Sequence, residues 1–177
     1  MQVLLLNRYS AAMKKIRPLL ISIIVLAMAG LAVFGVSGMS DSSTTNTNSA
    51  LPVVTANAGE APTITAPTGA APTTLTTSDV IVGTGAEVLP TSTLTVHYTL
   101  MAWSTGKIIE SSWSSGSPAT FPLAQVVEGW QKGLPGAKVG GRRLLILPPD
   151  MGYGAAGAGP IGPNETLIFV VDIIGVS

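Results

Sequence analysis

His97 is the one histidine in a chain of 177 residues that has no cysteine. An imidazole base beside a serine would be acyl-transfer chemistry, but His97 stands among threonines in the middle of a strand-like run. No serine occupies a Gly-x-Ser-x-Gly turn and nothing marks an orienting acid. His97 therefore reads as a structural residue, hydrogen-bonded to a neighbouring strand or loop. Without cysteine there is no thiol nucleophile, disulfide, zinc–thiolate site or lipid-modified cysteine, and a single histidine excludes a multi-histidine metal site. Gly152 to Gly157 (GYGAAG) has the Gly-x-Gly-x-x-Gly spacing. It follows Pro-Pro-Asp and precedes Gly-Pro, where no helix can start, so it is not a phosphate loop.

What remains is aromatic: Tyr98, Trp103, Trp113, Phe121, Trp130, Tyr153 and Phe169. Four of these sit on distinct elements, namely a strand face, a short helix, a glycine-rich loop and the last strand. Two readings are open, a packed core or a pocket whose walls come from separate parts of the chain.

The elements that must position them are mostly strands. Leu94, Val96, Tyr98 and Leu100 alternate with Thr93, Thr95, His97 and Thr99, which puts Tyr98 on the inward face. Leu167, Phe169, Val171 and Ile173 share one face of the C-terminal strand, and Ile168, Val170 and Asp172 share the other, so this strand is buried on nearly both sides. Leu144 to Leu147 is a third run, stopped by Pro148 and Pro149, and Ser104-Thr105-Gly106 makes a hairpin turn before Lys107 to Glu110. An antiparallel sheet is the economical reading. Val126, Val127 and Trp130 are spaced as on one face of a short helix closed by glycine at Gly133. Too short to stand alone, this helix must pack on the sheet. From Pro148 to Asn164 runs a glycine-rich loop whose length marks it as functional or mobile.

Charged residues are 10% of the chain, against roughly 25% in an ordinary soluble domain, and 46% is hydrophobic. The net charge of zero averages unlike parts. Arg8, Lys14, Lys15 and Arg17 come before any acid, whereas from Asp41 onward five bases face nine acids, a net charge of −4. No basic face suited to nucleic acid is indicated. Leu19 to Val36 is an uncharged apolar run of 18 residues. Behind positive residues, such a run is an export signal or a signal anchor over residues 1–37. Gly35, Ser37, Gly38 and Ser40 offer cutting sites, but the run is longer than a typical signal, which leans towards an anchor in the cell membrane with the rest facing outward; cleavage would leave a secreted protein. Residues 38–71 are rich in Ser, Thr, Asn, Ala and Pro and have no hydrophobic period, so a disordered, extended tether is expected there. The folded domain is expected over 72–177.

Six blocks occur in one order: Val96-His97-Tyr98, Gly106 to Ser112 (GKIIESS), Val126 to Gly133 (VVEGWQKG), Val139-Gly140-Gly141, Pro149 to Gly154 (PDMGYG) and Thr166 to Asp172 (TLIFVVD). Together they resemble the FKBP-type peptidyl-prolyl cis-trans isomerases. The resemblance implies an α+β fold, a curved antiparallel sheet wrapped around one short helix. It makes Tyr98, Val126, Val127, Trp130, Tyr153, Ile161 and Phe169 walls of a proline-binding pocket with Trp130 as its floor. By the same resemblance, the Val127 amide and the Tyr153 hydroxyl bond carbonyls of the bound chain. Ile109 stands where phenylalanine is usual, Glu110 where aspartate is usual, Ala119 at the place of a second phenylalanine and Ala158 at that of a loop histidine. Tyr98, Glu110, Val127, Tyr153 and Phe169 are the residues implied to act on the bond, and Ile109 joins the binding wall.

The activity so implied needs no cofactor and no metal. Its partners are proline-containing polypeptides, including exported proteins in need of folding, and rapamycin-like macrolides. Nucleic acid is not among them, the membrane enters only through an uncleaved N-terminal segment, and a monomer suffices. The altered wall positions also allow a second reading, a chaperone or docking module that holds proline-containing chains and hardly turns them.

Overall fold

The structure, a computed structural model, describes residues 51–177. The expected export segment and the first part of the tether lie outside the described residues. Among those described, no helix is long and apolar enough to cross a membrane.

Six strands form one antiparallel sheet: β1 (Thr76–Ile81), β2 (Thr93–Ala102), β3 (Ile108–Ser111), β4 (Ala119–Pro122), β5 (Arg142–Leu147) and β6 (Leu167–Val176). Their order is β1-β5-β6-β2-β3, with β4 also on β2. β2 is long enough to pair β4 along Thr93–Val96 and β3 along Thr99–Met101, on the edge opposite β6. Gly106, at φ 62°, makes the β2–β3 turn. A left-handed backbone there suits glycine, as the Ser-Thr-Gly sequence indicates.

The alternation read from the sequence decides what each face buries. Leu94, Val96, Tyr98 and Leu100 of β2 and Leu167, Phe169, Val171 and Ile173 of β6 enter one core, together with Trp130. A single helix, α1 (Glu128–Gly133), covers this face. It lies close to β5 because the positions that face that strand are glycines. A Cβ on Gly129 would strike the Leu147 side chain, and one on Gly133 would come within 2.5 Å of Leu145 Cδ2. The helix is shorter than the sequence suggests. Val126 and Val127 are extended and precede its first turn, and Gly133 lies within it, ahead of the cap at Leu134. Their spacing is helical, but each valine belongs to the bend that feeds the helix.

The second face of the sheet is buried as well. Met101, Trp103, Leu144, Ile146, Ile168 and Val170 form a separate cluster with Ile64, and Val54 and Ala71 pack against it. A disordered, extended tether is expected over residues 38–71; of its described part, Val54, Ile64 and Ala71 instead pack on this outer face. Val54 and Ile64 pair as an antiparallel bridge, and Thr55 and Thr65 N–H groups donate to Thr63 and Val53 carbonyls at 3.1 and 3.0 Å. The physical reason is tertiary. Too few apolar residues are present to make a local period, but Ile64 finds a ready apolar surface. Arg142, fully buried, supplies donors to the Thr55 and Glu60 carbonyls at 2.8 and 2.6 Å. Arg142 also pairs with Asp172 at 2.8 Å. A buried guanidinium is tolerable only because its N–H groups are matched in this way.

Candidate functional site

Tyr98 reaches the inner core from the middle of β2, where strand alternation points it, and Trp130 meets it from α1. Their rings are edge to face with centroids 6.0 Å apart. Phe169, on β6, stands edge-on to Trp130 at 5.3 Å. Trp130 is only 1% exposed, so it forms the base of the cluster. A further aromatic completes it: Phe121 of β4 is edge-on to both Tyr98 and Trp130, at 6.2 and 6.1 Å. The sequence counts Phe121 among the aromatics without giving it a place in the pocket. A signal for it exists, because one residue of the short run Ala119-Thr120-Phe121-Pro122 has to face inward, and Phe121 is its large apolar side chain.

Around these rings lie the remaining expected residues. Val126 and Ile161 are buried in the same core, and Ile109, Ala119, Val127 and Tyr153 pack against it half-exposed. Glu110 is held by Tyr98, whose hydroxyl donates to Oε1 at 2.6 Å. The apolar and aromatic residues expected at the site thus share one core, and Glu110 joins it through Tyr98. Ala158, where a loop histidine is usual, pairs with Ile161 across a tight turn. That turn requires glycine. Gly157 has φ 64°, and a Cβ there would run into the Ile161 carbonyl and Gly162 backbone. Short 3-10 turns lie just before the Gly152–Gly157 stretch, over Pro149–Met151, and within it, over Gly154–Ala156, with no helix start at which a phosphate could sit.

Three polar groups at the site, the Val127 N–H, the Tyr153 hydroxyl and the Trp130 indole Nε1–H, have no partner among the described residues. The Val127 N–H lies ahead of the first helical turn, where its carbonyl accepts from Trp130 and Gln131 and its amide stays unengaged. The Tyr153 hydroxyl is buried and unbonded. Burial, and after it the Glu110 carboxylate, pushes the Tyr153 phenol up to about 12. Tyr98 is shifted in the same direction by burial first, then by its hydrogen bond to Glu110. Both phenols are therefore neutral donors at physiological pH, and an idle donor in an apolar setting is a place for a carbonyl.

His97 is elsewhere. It lies on the outer side of β2, its Nδ1 is 3.0 Å from Ser112 Oγ, and its ring stacks on Trp113 with centroids 4.0 Å apart. That is the structural role its sequence setting indicates. No group of three or more His, Asp or Glu side chains among the described residues could hold a metal ion. A separate cleft lined by Asp79, Val82, Lys138 and Arg143 contains no aromatic side chain and shares no residue with the aromatic cluster.

The FKBP-type peptidyl-prolyl cis-trans isomerase family matches residues 85–174. A protein of Corynebacterium glutamicum described as a probable FK506-binding protein is 46% identical over 100 residues, covering 56% of this chain and 85% of its own. An FK506-binding protein of Streptomyces anulatus is 45% identical over 106 residues, covering 58% of this chain and 86% of its own. Among solved structures, FkpA of Escherichia coli aligns with a TM-score of 0.55 at 36% identity, over 58% of this chain and 48% of that one.

Proposed function

The chain belongs to the FKBP-type peptidyl-prolyl cis-trans isomerases and catalyses rotation about X-Pro peptide bonds; from that premise we propose that the Tyr98–Phe121–Trp130–Phe169 cluster is the seat of a bound proline. The observation that carries this reading is a pair of unengaged donors beside the aromatic rings, the Val127 amide and the Tyr153 hydroxyl. They sit where two carbonyls flanking a proline can be held.

The reaction makes no covalent demand on the protein. Rotation has a barrier of about 18 to 20 kcal/mol because amide resonance must be broken, and each tenfold gain needs about 1.36 kcal/mol of stabilisation confined to the twisted state. Proline packs on the Trp130 face. The Val127 amide and Tyr153 hydroxyl fix the chain on either side of the turning bond. The twisted amide has lost part of its polar resonance form, so an apolar wall of Ile109, Val126, Ile161 and Phe169 penalises it less than the planar one. Glu110, tied to Tyr98, orients that ring and keeps negative charge at the pocket rim. Ile109 and Ala119, in place of two larger rings, leave the wall wider.

The basic residues ahead of the 18-residue apolar run support export, with exported, proline-containing polypeptides as substrates and the membrane as the site of an uncleaved anchor. A monomer suffices for the pocket, since one chain supplies every wall. Chemical-shift mapping with an X-Pro peptide tests the site. The Val127 amide and Trp130 indole resonances should move together on titration, and binding that leaves both in place would remove this assignment.

A further inference from the structure

Residues 51–71 lie outside the stretch that matches the family, which begins at residue 85, yet they cover the sheet face opposite the aromatic pocket. Alternation along β6 shows the opposition, with Phe169 in the pocket core and Ile168 and Val170 under the covering segment. Two lines of contact connect this strap to the pocket wall. The first is a polar row across three strands. Arg142 on β5 holds the strap carbonyls of Thr55 and Glu60 and, through Nε, Asp172 on β6. Asp172 is directly opposite His97 on β2, and its buried Oδ2 has no hydrogen-bond partner among the described residues. His97 faces the Ser112 hydroxyl, which accepts from the Tyr98 N–H at 2.9 Å. The row thus ends on the backbone of the residue that holds Glu110. The second line is steric. The strap crosses the β2–β3 turn so closely that a Cβ on Gly106 would come within 2.8 Å of Ala66 Cβ, and the Trp103 indole donates to the Gly69 carbonyl at 3.4 Å. That turn leads directly into Ile109 and Glu110.

From this arrangement we infer that residues 51–71 are a working part of the isomerase domain and that Arg142 is a positioning residue. Latched by Arg142, the strap fixes β2 and β3 from behind and so sets Tyr98 and Glu110 in the pocket. Neither Arg142 nor the strap touches the substrate. Their loss therefore acts on turnover more than on peptide binding, because small misplacements of a pocket wall are felt mainly in the twisted state. The inference rests on the pocket assigned above.

The test uses the full chain. In the unaltered protein, hydrogen exchange should show the Thr55 and Thr65 amides protected along with those of β6; strap amides exchanging as freely as an unstructured chain would overturn the inference whatever the activity. Ile64→Asp leaves residues 72–177 unchanged and should release the strap, with kcat lower by about tenfold and KM within twofold. A second variant, Arg142→Met with Asp172→Leu, replaces the buried pair by apolar side chains, a change that folded proteins commonly tolerate. It should free the same amides and give the same split between kcat and KM. Release of the strap with unchanged kcat, or retention of the strap in the double variant, contradicts the inference. An inactive unaltered chain whose strap is protected would instead count against the proposed pocket.

Discussion

The Tyr98 hydroxyl and the Glu110 carboxylate meet at 2.6 Å, joining the inner face of β2 to the end of β3 at the edge of the aromatic cluster. Tyr98 is almost wholly buried and has its pKa raised, so its proton stays on oxygen and the bond is one from a neutral donor to a charged acceptor. It fixes a ring of the aromatic cluster and a carboxylate beside it with one contact. Glutamate, one methylene longer than the aspartate usual in the family, still reaches the phenol.

Removing the donor should weaken the fold more than surface changes do. Tyr98→Phe is expected to lower stability by about 1.5 to 3 kcal/mol, the range for hydrogen bonds to charged groups. Urea unfolding monitored by tryptophan fluorescence measures it. A loss below about 0.5 kcal/mol would mean that Glu110 finds water as good a partner.

The Tyr153 phenol gives a pH signature. Its folded pKa is pushed up to about 12 from the usual value of 10.0, by burial first and then by Glu110. The folded state holds this proton more tightly than the unfolded chain, so the contribution to stability is complete below pH 10 and is lost as pH rises from 10 through about 12. Tyr153→Phe should flatten the decline in that window and leave the profile between about pH 6 and 9 unchanged. Denaturation midpoints across the alkaline range measure this, and identical slopes in both proteins would refute the shift.

Gly157 holds the loop that carries Ile161 into the core around the aromatic cluster. With φ at 64° and the Ile161 carbonyl against any Cβ, Gly157→Ala should destabilise by at least about 1 kcal/mol and lower turnover by moving Ile161. Gly116, also at positive φ but with open space around it, is the control: Gly116→Ala should carry the backbone penalty alone and keep turnover intact. Comparing kcat/KM of the two variants separates the loop's role from general strain.

Much of this is legible in the sequence because strands advertise their faces. Leu94 to Leu100 alternates strictly, so the pattern by itself turns Tyr98 inward; Leu167 to Ile173 is apolar on nearly both sides, and only Asp172 marks the face opposite Phe169. The helix is less legible. Val126 and Val127 carry the right spacing but form the bend before Glu128, since periodicity cannot tell a first turn from the residues that approach it. β1 gives no signal because, as an edge strand with Thr77, Ser78 and Asp79 exposed, it needs no apolar face. The strap is invisible for a deeper reason. Its hold on the sheet comes from Arg142 and from Ile146, Ile168 and Val170, residues about 80 to 110 positions away whose partners no local pattern names.

Ile109 and Glu110, in the pocket wall proposed above, bear on whether the protein turns its ligand or only holds it. Ile109→Phe with Glu110→Asp restores what the family usually carries. If the present pocket is already competent, turnover should change by less than about threefold, equivalent to roughly 0.65 kcal/mol in the barrier. A rise of about a hundredfold at unchanged peptide affinity, roughly 2.7 kcal/mol, would show that the natural chain is chiefly a binder.

The most direct measurement is magnetisation-exchange NMR on an X-Pro peptide with the full chain. Cis–trans exchange, which unaided takes tens to hundreds of seconds, should quicken in proportion to protein concentration. The gain should fall when Trp130 is replaced by leucine. Exchange at the unaided rate in the presence of abundant, folded protein would contradict the assignment of isomerase activity to this pocket.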